Sequence, residues 1–209
     1  MVNELPQETL RVRAQVWRLL GRMFLAEPDP ELLAALRVDE TWEIFAALAP
    51  EANLGQLRQL VQSEAFSVEA VRLEFHLLFS APTGPYVFPY ESCYGVAEPP
   101  GPLMGPATIA VVNAYAEAGF AVAPDFQDAP DHLGVEFRFV AELVDREAQA
   151  LEDGDAAAAG KFASLCSTFC REHLSQWVGK VADRISASGG SAFYSGFSAL
   201  AKEIVLEDT

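Results

Sequence analysis

Pro130-Asp131-His132 followed by Glu136 concentrates more potential chemistry than any other stretch of the sequence. On a helix, His132 and Glu136 stand at i and i+4, so an imidazole and a carboxylate share one face and can pair. An Asp-His pair can begin a metal site for phosphoester hydrolysis, but that chemistry needs several further His or carboxylate ligands. Only His76 and His173 remain in the chain, and neither stands at metal spacing to the pair. The plainer reading is a capping Asp131 at a helix start with a surface His132 beside it.

The thiols offer little more. Cys166, Cys170 and His173 fall at i, i+4 and i+7 of one helical face and could in principle take zinc or an iron-sulfur cluster. A fourth ligand is not evident, and Phe162, Phe169 and Trp177 share that face, which reads as two small buried thiols in a core. Cys93 has no base placed near it to activate a nucleophile. The glycines form no phosphate loop of the P-loop or dinucleotide type. No catalytic residue, metal or cofactor is therefore expected.

What the acidic residues can do is hold a cation. From Leu73 to Phe137, 65 residues, the chain has no Lys or Arg, while Glu74, Glu91, Glu98, Glu117, Asp125, Asp128, Asp131 and Glu136 fall in the same span. Half of the net charge of −16 thus sits on under a third of the length. A charge run is often only a solvated face, but this one coincides with the aromatics Tyr86, Phe88, Tyr90 and Tyr94. Acidic surface beside aromatic and apolar surface suits a peptide with positive charges followed by an apolar segment. Tyr rings also accept cations.

The elements that must position these groups read as helices. Val12, Val16, Leu19, Leu20 and Met23 place an apolar face on an opening helix over Thr9 to Phe24. Asp29-Pro30 starts a second helix, short helices follow at Thr41 to Leu48 and Leu54 to Ser63, and Ser67 caps another that Pro82 stops. Ala81 to Pro106 holds seven of the thirteen prolines and four glycines, a loop length that is more often functional than connecting, and its aromatics argue for order. Helices resume at Ala107 to Ala118, ending at Gly119, and from Asp131 towards Leu151. An alanine-rich helix starts at Asp155, and further helices lie near Val181 to Ile185 and Ala192 to Val205, split by Ser188-Gly189-Gly190-Ser191. No strand alternation is visible, so the expected fold is all-α, about ten helices in a single domain over residues 1–209.

Composition bounds the partners. At 51% hydrophobic, the chain can bury a core without metal or disulfide staples. With 30 acidic residues against 14 basic, nucleic acid is excluded as a partner, since phosphate neutralisation needs clustered Lys and Arg. Met1 to Glu8 lack a signal-peptide pattern, no run of about 18 apolar residues occurs, and three sparse cysteines suit a reducing compartment. A cytoplasmic protein with no direct membrane insertion is expected.

Three blocks then carry a family likeness. They are Phe75-His76-Leu77-Leu78-Phe79 leading through Pro89-Tyr90-Glu91-Ser92; Tyr115 to Gly119 leading to Pro130-Asp131-His132-Leu133-Gly134-Val135-Glu136-Phe137; and His173-Leu174-Ser175-Gln176-Trp177 with Phe193-Tyr194. With the opening Arg18-Leu19-Leu20 helix, these cover most of the chain in order, and the chain resembles the TorD/DmsD/NarJ group of redox-enzyme maturation chaperones. The resemblance implies an all-helical cytoplasmic chaperone that binds the twin-arginine leader peptide and apo form of a molybdenum-type oxidoreductase, holding it for cofactor insertion before export. It maps Tyr90, Glu91, Ser92, Asp131, His132 and Glu136 to the client-binding surface. Where the family often has Glu before the Pro-Asp-His proline, this chain has Ala129, with Asp128 one residue earlier.

On this reading Glu91, Asp128, Asp131 and Glu136 attract the arginines, Tyr90, Tyr94 and Leu133 contact the apolar part, and His132 tunes the site near neutral pH. It requires the loop at Tyr90 to Ser92 and the helix start at Asp131 to Glu136 to lie side by side. The competing readings are a metal-dependent hydrolase on Asp131 and His132 and an adaptor for a folded partner. Monomer and homodimer, including a swapped one, both fit the sequence.

Overall fold

The structure is a computed structural model that describes residues 7–80, 84–96, 100–189 and 192–209. Among the described residues the chain is all-α, with ten α-helices and no strand beyond one isolated antiparallel bridge between Tyr90 and His132. Pro82, the expected helix stop, together with Glu98 and the Gly190-Ser191 pair, lies outside the described residues.

The centre of the fold is a pair of helices, α1 (Gln7–Leu25) and α7 (Leu133–Glu152). α1 buries Leu10, Ala14, Trp17, Gly21 and Phe24, one per turn of a single face. The Phe137 ring of α7 lies 5.5 Å from Trp17 and 5.9 Å from Phe24. Two glycines let the backbones meet: a Cβ on Gly134 would come within 2.7 Å of the Gly21 carbonyl oxygen, and one on Gly21 within 2.7 Å of Arg138 Cγ.

Around this pair the remaining helices start where side chains satisfy their first amides. Asp29 accepts from Leu32 N–H at 2.7 Å ahead of α2 (Pro30–Ala35), and Ser67 from Ala70 N–H at 3.1 Å ahead of α5 (Val68–Phe79). Between them run α3 (Asp39–Leu48) and α4 (Gly55–Gln62). α6 (Pro106–Glu117) opens on its proline, and Arg146 donates to the Ala118 carbonyl at 2.6 Å at its far end. Its final turn leaves through Gly119 at φ 68°, where glycine has no Cβ to strain.

The expected short helix near Val181 to Ile185 is part of a longer run. α8 (Ala156–Phe169) passes through a π turn (Cys170–Leu174) directly into α9 (Ser175–Ala187). The wider turn shifts the phase of the helix face, so His173 leaves the face of Cys166 and Cys170. α10 (Ala192–Glu207) closes the core, with Phe197 6.2 Å from Phe45 and the Tyr194 hydroxyl donating to the Met23 carbonyl at 3.1 Å.

Candidate functional site

The long loop is stitched to the start of α7. Leu133 N–H donates to the Pro89 carbonyl at 2.8 Å and Glu91 N–H to the Asp131 carbonyl at 3.0 Å, which forms the Tyr90–His132 bridge. One step further, Ser92 N–H donates to Asp131 Oδ2 at 2.8 Å, which fixes the first turn of a 3-10 segment (Glu91–Cys93). The two segments that the leader-peptide reading needs side by side are hydrogen-bonded neighbours.

Their side chains, however, mostly point inward. Asp131 and Glu136 are both 0% exposed, and Leu133, Tyr94, His132 and Ser92 are buried as well. The expectation that Asp131 and Glu136 face the ligand's arginines, and that Leu133 and Tyr94 touch its apolar part, is corrected by this burial: a bound peptide has no access to them. They build the platform rather than its face. Tyr90 is buried except for a thin edge, and Asp128 stands exposed beside it.

The capping assignment also changes. His132, not Asp131, is the N-cap of α7, with Nδ1 accepting from Gly134 N–H at 3.0 Å. Burial pushes the His132 imidazole down to about 4, against the opposing pull of Asp128 and Asp131. An imidazole held neutral by burial, with Nδ1 as acceptor, does not tune the site near neutral pH.

Beneath the loop lies a lattice of acids that joins three parts of the chain. His173, redirected by the π turn, reaches Glu91 through Nδ1 at 3.0 Å. Trp177 Nε1 donates to Glu136 Oε2 at 3.2 Å. Burial pushes the Glu136 carboxyl well above the ordinary carboxylate range, and the charges of Glu91 and Asp131 push it the same way. Asp131 Oδ1 and Glu136 Oε1 have no hydrogen-bond partner among the described residues.

The base-free stretch is not base-free in space. Lys180 Nζ donates to the Tyr94 carbonyl at 3.2 Å, and the Arg184 guanidinium lies 5.8 Å from the Tyr94 ring, which stacks on Trp177 at 5.6 Å. Tyr94 thus already serves a cation of its own chain. Burial raises the Tyr90 hydroxyl above the ordinary phenol range, and contact with Asp128 adds to it. Of the eight acids in the stretch, Asp131 and Glu136 are buried, and the exposed ones among the described residues are Glu117, Asp125 and Asp128.

The hydrolase reading finds no ligand set at Asp131 and His132 among the described residues. Among the described residues the group that could hold a metal is instead Cys166, Cys170 and Asp208. Asp208 is already engaged by Arg13 at 2.5 Å and Trp17 Nε1 at 3.0 Å, and both thiols are buried. Residue-level reasoning missed the roles of His173 and Trp177, although both stood in one of the family-like blocks. It also missed five exposed apolar side chains, Val96, Leu103, Met104, Ile109 and Val112, two of them on the alanine- and valine-rich helix Pro106–Glu117.

The helical scaffold thus fixes its long loop from below through the buried Asp131. Residues 46–183 match the model of the nitrate reductase delta subunit family, and the chain belongs to that family. It is 25% identical over 200 residues to the chaperone protein TorD of Shewanella loihica, covering 91% of this chain and 88% of that one. The crystal structure of a redox enzyme maturation protein from Archaeoglobus fulgidus aligns over 97% of this chain and 94% of that one, with TM-score 0.49 and 19% identity. The chain is a maturation chaperone of the TorD/NarJ type, not an enzyme. No helix among the described residues is long and apolar enough to cross a membrane.

Proposed function

We propose that this chaperone works in the cytoplasm on the apo form of a molybdenum-type oxidoreductase and holds it by a basic, twin-arginine leader peptide until its cofactor is loaded. The observation that carries the reading is the loop's outer edge. Asp128, exposed, stands against the Tyr90 hydroxyl. Tyr86 and Phe88 pack edge to face at 4.7 Å alongside, half-buried. A guanidinium finds there both a carboxylate and aromatic faces, on a backbone fixed from below by Asp131.

Because Asp131 and Glu136 are buried, the charge test belongs on Asp128. A labelled synthetic twin-arginine leader should bind in a fluorescence anisotropy titration, weaken as salt is raised, and weaken by about tenfold in Asp128→Lys. Binding that ignores both salt and the substitution would refute the proposed role of charge. Competition between the leader peptide and leaderless client separates this reading from an adaptor that grips a folded partner.

A further inference from the structure

The sulfurs of Cys166 and Cys170 and one carboxylate oxygen of Asp208 lie within 4.8 Å of one another. The two thiols stand in the last turn of α8 and at the first position of the π turn, in hydrogen-bonding contact with each other. Asp208 reaches them from just beyond α10, where its N–H donates to the Val205 carbonyl at 3.2 Å.

Small buried thiols commonly fill a core as apolar groups, and that role needs no carboxylate beside them. Here one has been brought in: both thiols are buried, and the Asp208 side chain is only 10% exposed. Arg13 on α1 donates to Asp208 Oδ1 at 2.5 Å and through Nε to Oδ2 at 3.2 Å, and Trp17 Nε1 donates to Oδ2 at 3.0 Å. A carboxylate offers about four lone-pair sites. Three donors use three of them, which leaves a lone pair on Oδ1. Carboxylates that ligate metals are ordinarily held in this way by outer hydrogen bonds.

Size and charge both fit a divalent ion. Tetrahedral zinc, with Zn–S of about 2.3 Å and Zn–O of about 2.0–2.2 Å, sets its ligand atoms about 3.5–4 Å apart. Atoms already within 4.8 Å reach that spacing by side-chain shifts of about 1 Å. Two thiolates and one carboxylate against one divalent ion and the Arg13 guanidinium sum to zero. Glu147, half-buried on α7, also lies in the field of Arg13. Thiolate donors favour zinc over magnesium or calcium. His173, four and seven residues of helix away from the same face in the sequence, is carried by the π turn to Glu91 instead, so the third ligand is one that only folding supplies.

We propose that Cys166, Cys170 and Asp208 bind a zinc ion, with the fourth tetrahedral position left to water, a site that stands independently of the leader-peptide reading. Entry of the ion releases two protons, one from each thiol, and no electron moves. The ion ties the end of α10 to the junction of α8 and the π turn. From that junction His173 and, one turn on, Trp177 hold Glu91 and Glu136 beneath the loop.

The test refolds the full chain from urea with a non-thiol reductant and one equivalent of cobalt(II), which reports thiolate ligation by a near-ultraviolet charge-transfer band and tetrahedral geometry by intense visible bands. Wild type should show both, and added zinc should erase them. Cys166→Ser with Cys170→Ser should abolish the charge-transfer band, while Cys93→Ser should keep it. Asp208→Asn, which retains an oxygen for Trp17, should weaken zinc binding by about tenfold or more. Because the double serine variant alters buried groups, thermal melting of wild type and Asp208→Asn supplies a second reading: excess zinc should raise the wild-type midpoint by several degrees and that of Asp208→Asn by less. Absence of the charge-transfer band in wild type overturns the proposal, as does a band that survives the loss of both thiols. An unchanged zinc affinity in Asp208→Asn removes the third ligand and overturns the site as assigned.

Discussion

Asp131 Oδ2 accepts the Ser92 amide at 2.8 Å across 39 residues of sequence, and the Asp131 carbonyl accepts the Glu91 amide at 3.0 Å. One residue thereby fixes two successive amides of a loop that has no regular structure to hold it. Asp131→Ala should cost about 1–3 kcal/mol by leaving a buried amide unpaired. Asp131→Asn keeps a carbonyl oxygen in place and should cost less. Urea unfolding of the three proteins measures both, and equal losses would mean that charge, not the hydrogen bond, is what matters there.

Burial raises the folded value of Glu136 well above its ordinary 4.5, while the unfolded chain keeps the ordinary value. The folded state then binds the extra proton. Its contribution is fully present below the unfolded value and is lost as pH rises towards the folded one. Glu136→Gln keeps an oxygen for the Trp177 Nε1 donor, now at 3.2 Å, and cannot ionise. Its stability relative to wild type should therefore climb as pH rises above about 4.5, by at most about 1.4 kcal/mol per unit. Urea midpoints from pH 5 to 8 read this difference, and a flat difference would mean Glu136 is charged.

His132 has the opposite slope. Its folded value of about 4 lies below its ordinary 6.5, so the unfolded chain binds the extra proton between them. Stability from the neutral imidazole is present above about 6.5 and lost as pH falls towards 4. Compared with His132→Asn, which retains capping ability, wild type should lose ground over that interval. Calorimetric melting of both proteins across the interval tests it, as does the imidazole chemical shift, which should not titrate between pH 6 and 8.

Gly134 predicts against helix propensity. Alanine inside a helix is ordinarily better than glycine by about 0.8–1 kcal/mol, yet here its Cβ would meet the Gly21 carbonyl at 2.7 Å and Leu25 Cγ at 2.8 Å. Gly134→Ala should instead destabilise by about 1–3 kcal/mol through overpacking of α1 against α7. A thermal midpoint above that of wild type would show that the helices can separate without cost.

Much of the fold was legible before any coordinates. The opening helix with Val16, Leu20 and Met23 on its buried face, the Asp29 and Ser67 caps and the Gly119 exit all depend on local spacing and backbone preference, which short sequence windows contain. The π turn was not legible, since nothing in Cys170 to Leu174 distinguishes it from regular helix until His173 meets Glu91. That contact depends on residues 82 positions apart.

By itself the sequence determined the helical class, the acidic excess and the family likeness. Only the tertiary structure decided which of those residues see solvent. Sequence spacing places Asp131 and Glu136 on a helix start, but whether a carboxylate points outward into solvent or inward to a hydrogen-bond partner depends on what packs over it. Here Trp177, Glu91 and Ser92 arrive from distant parts of the chain. They bury the most conspicuous acids, and leave Asp128 and Glu117 in solvent.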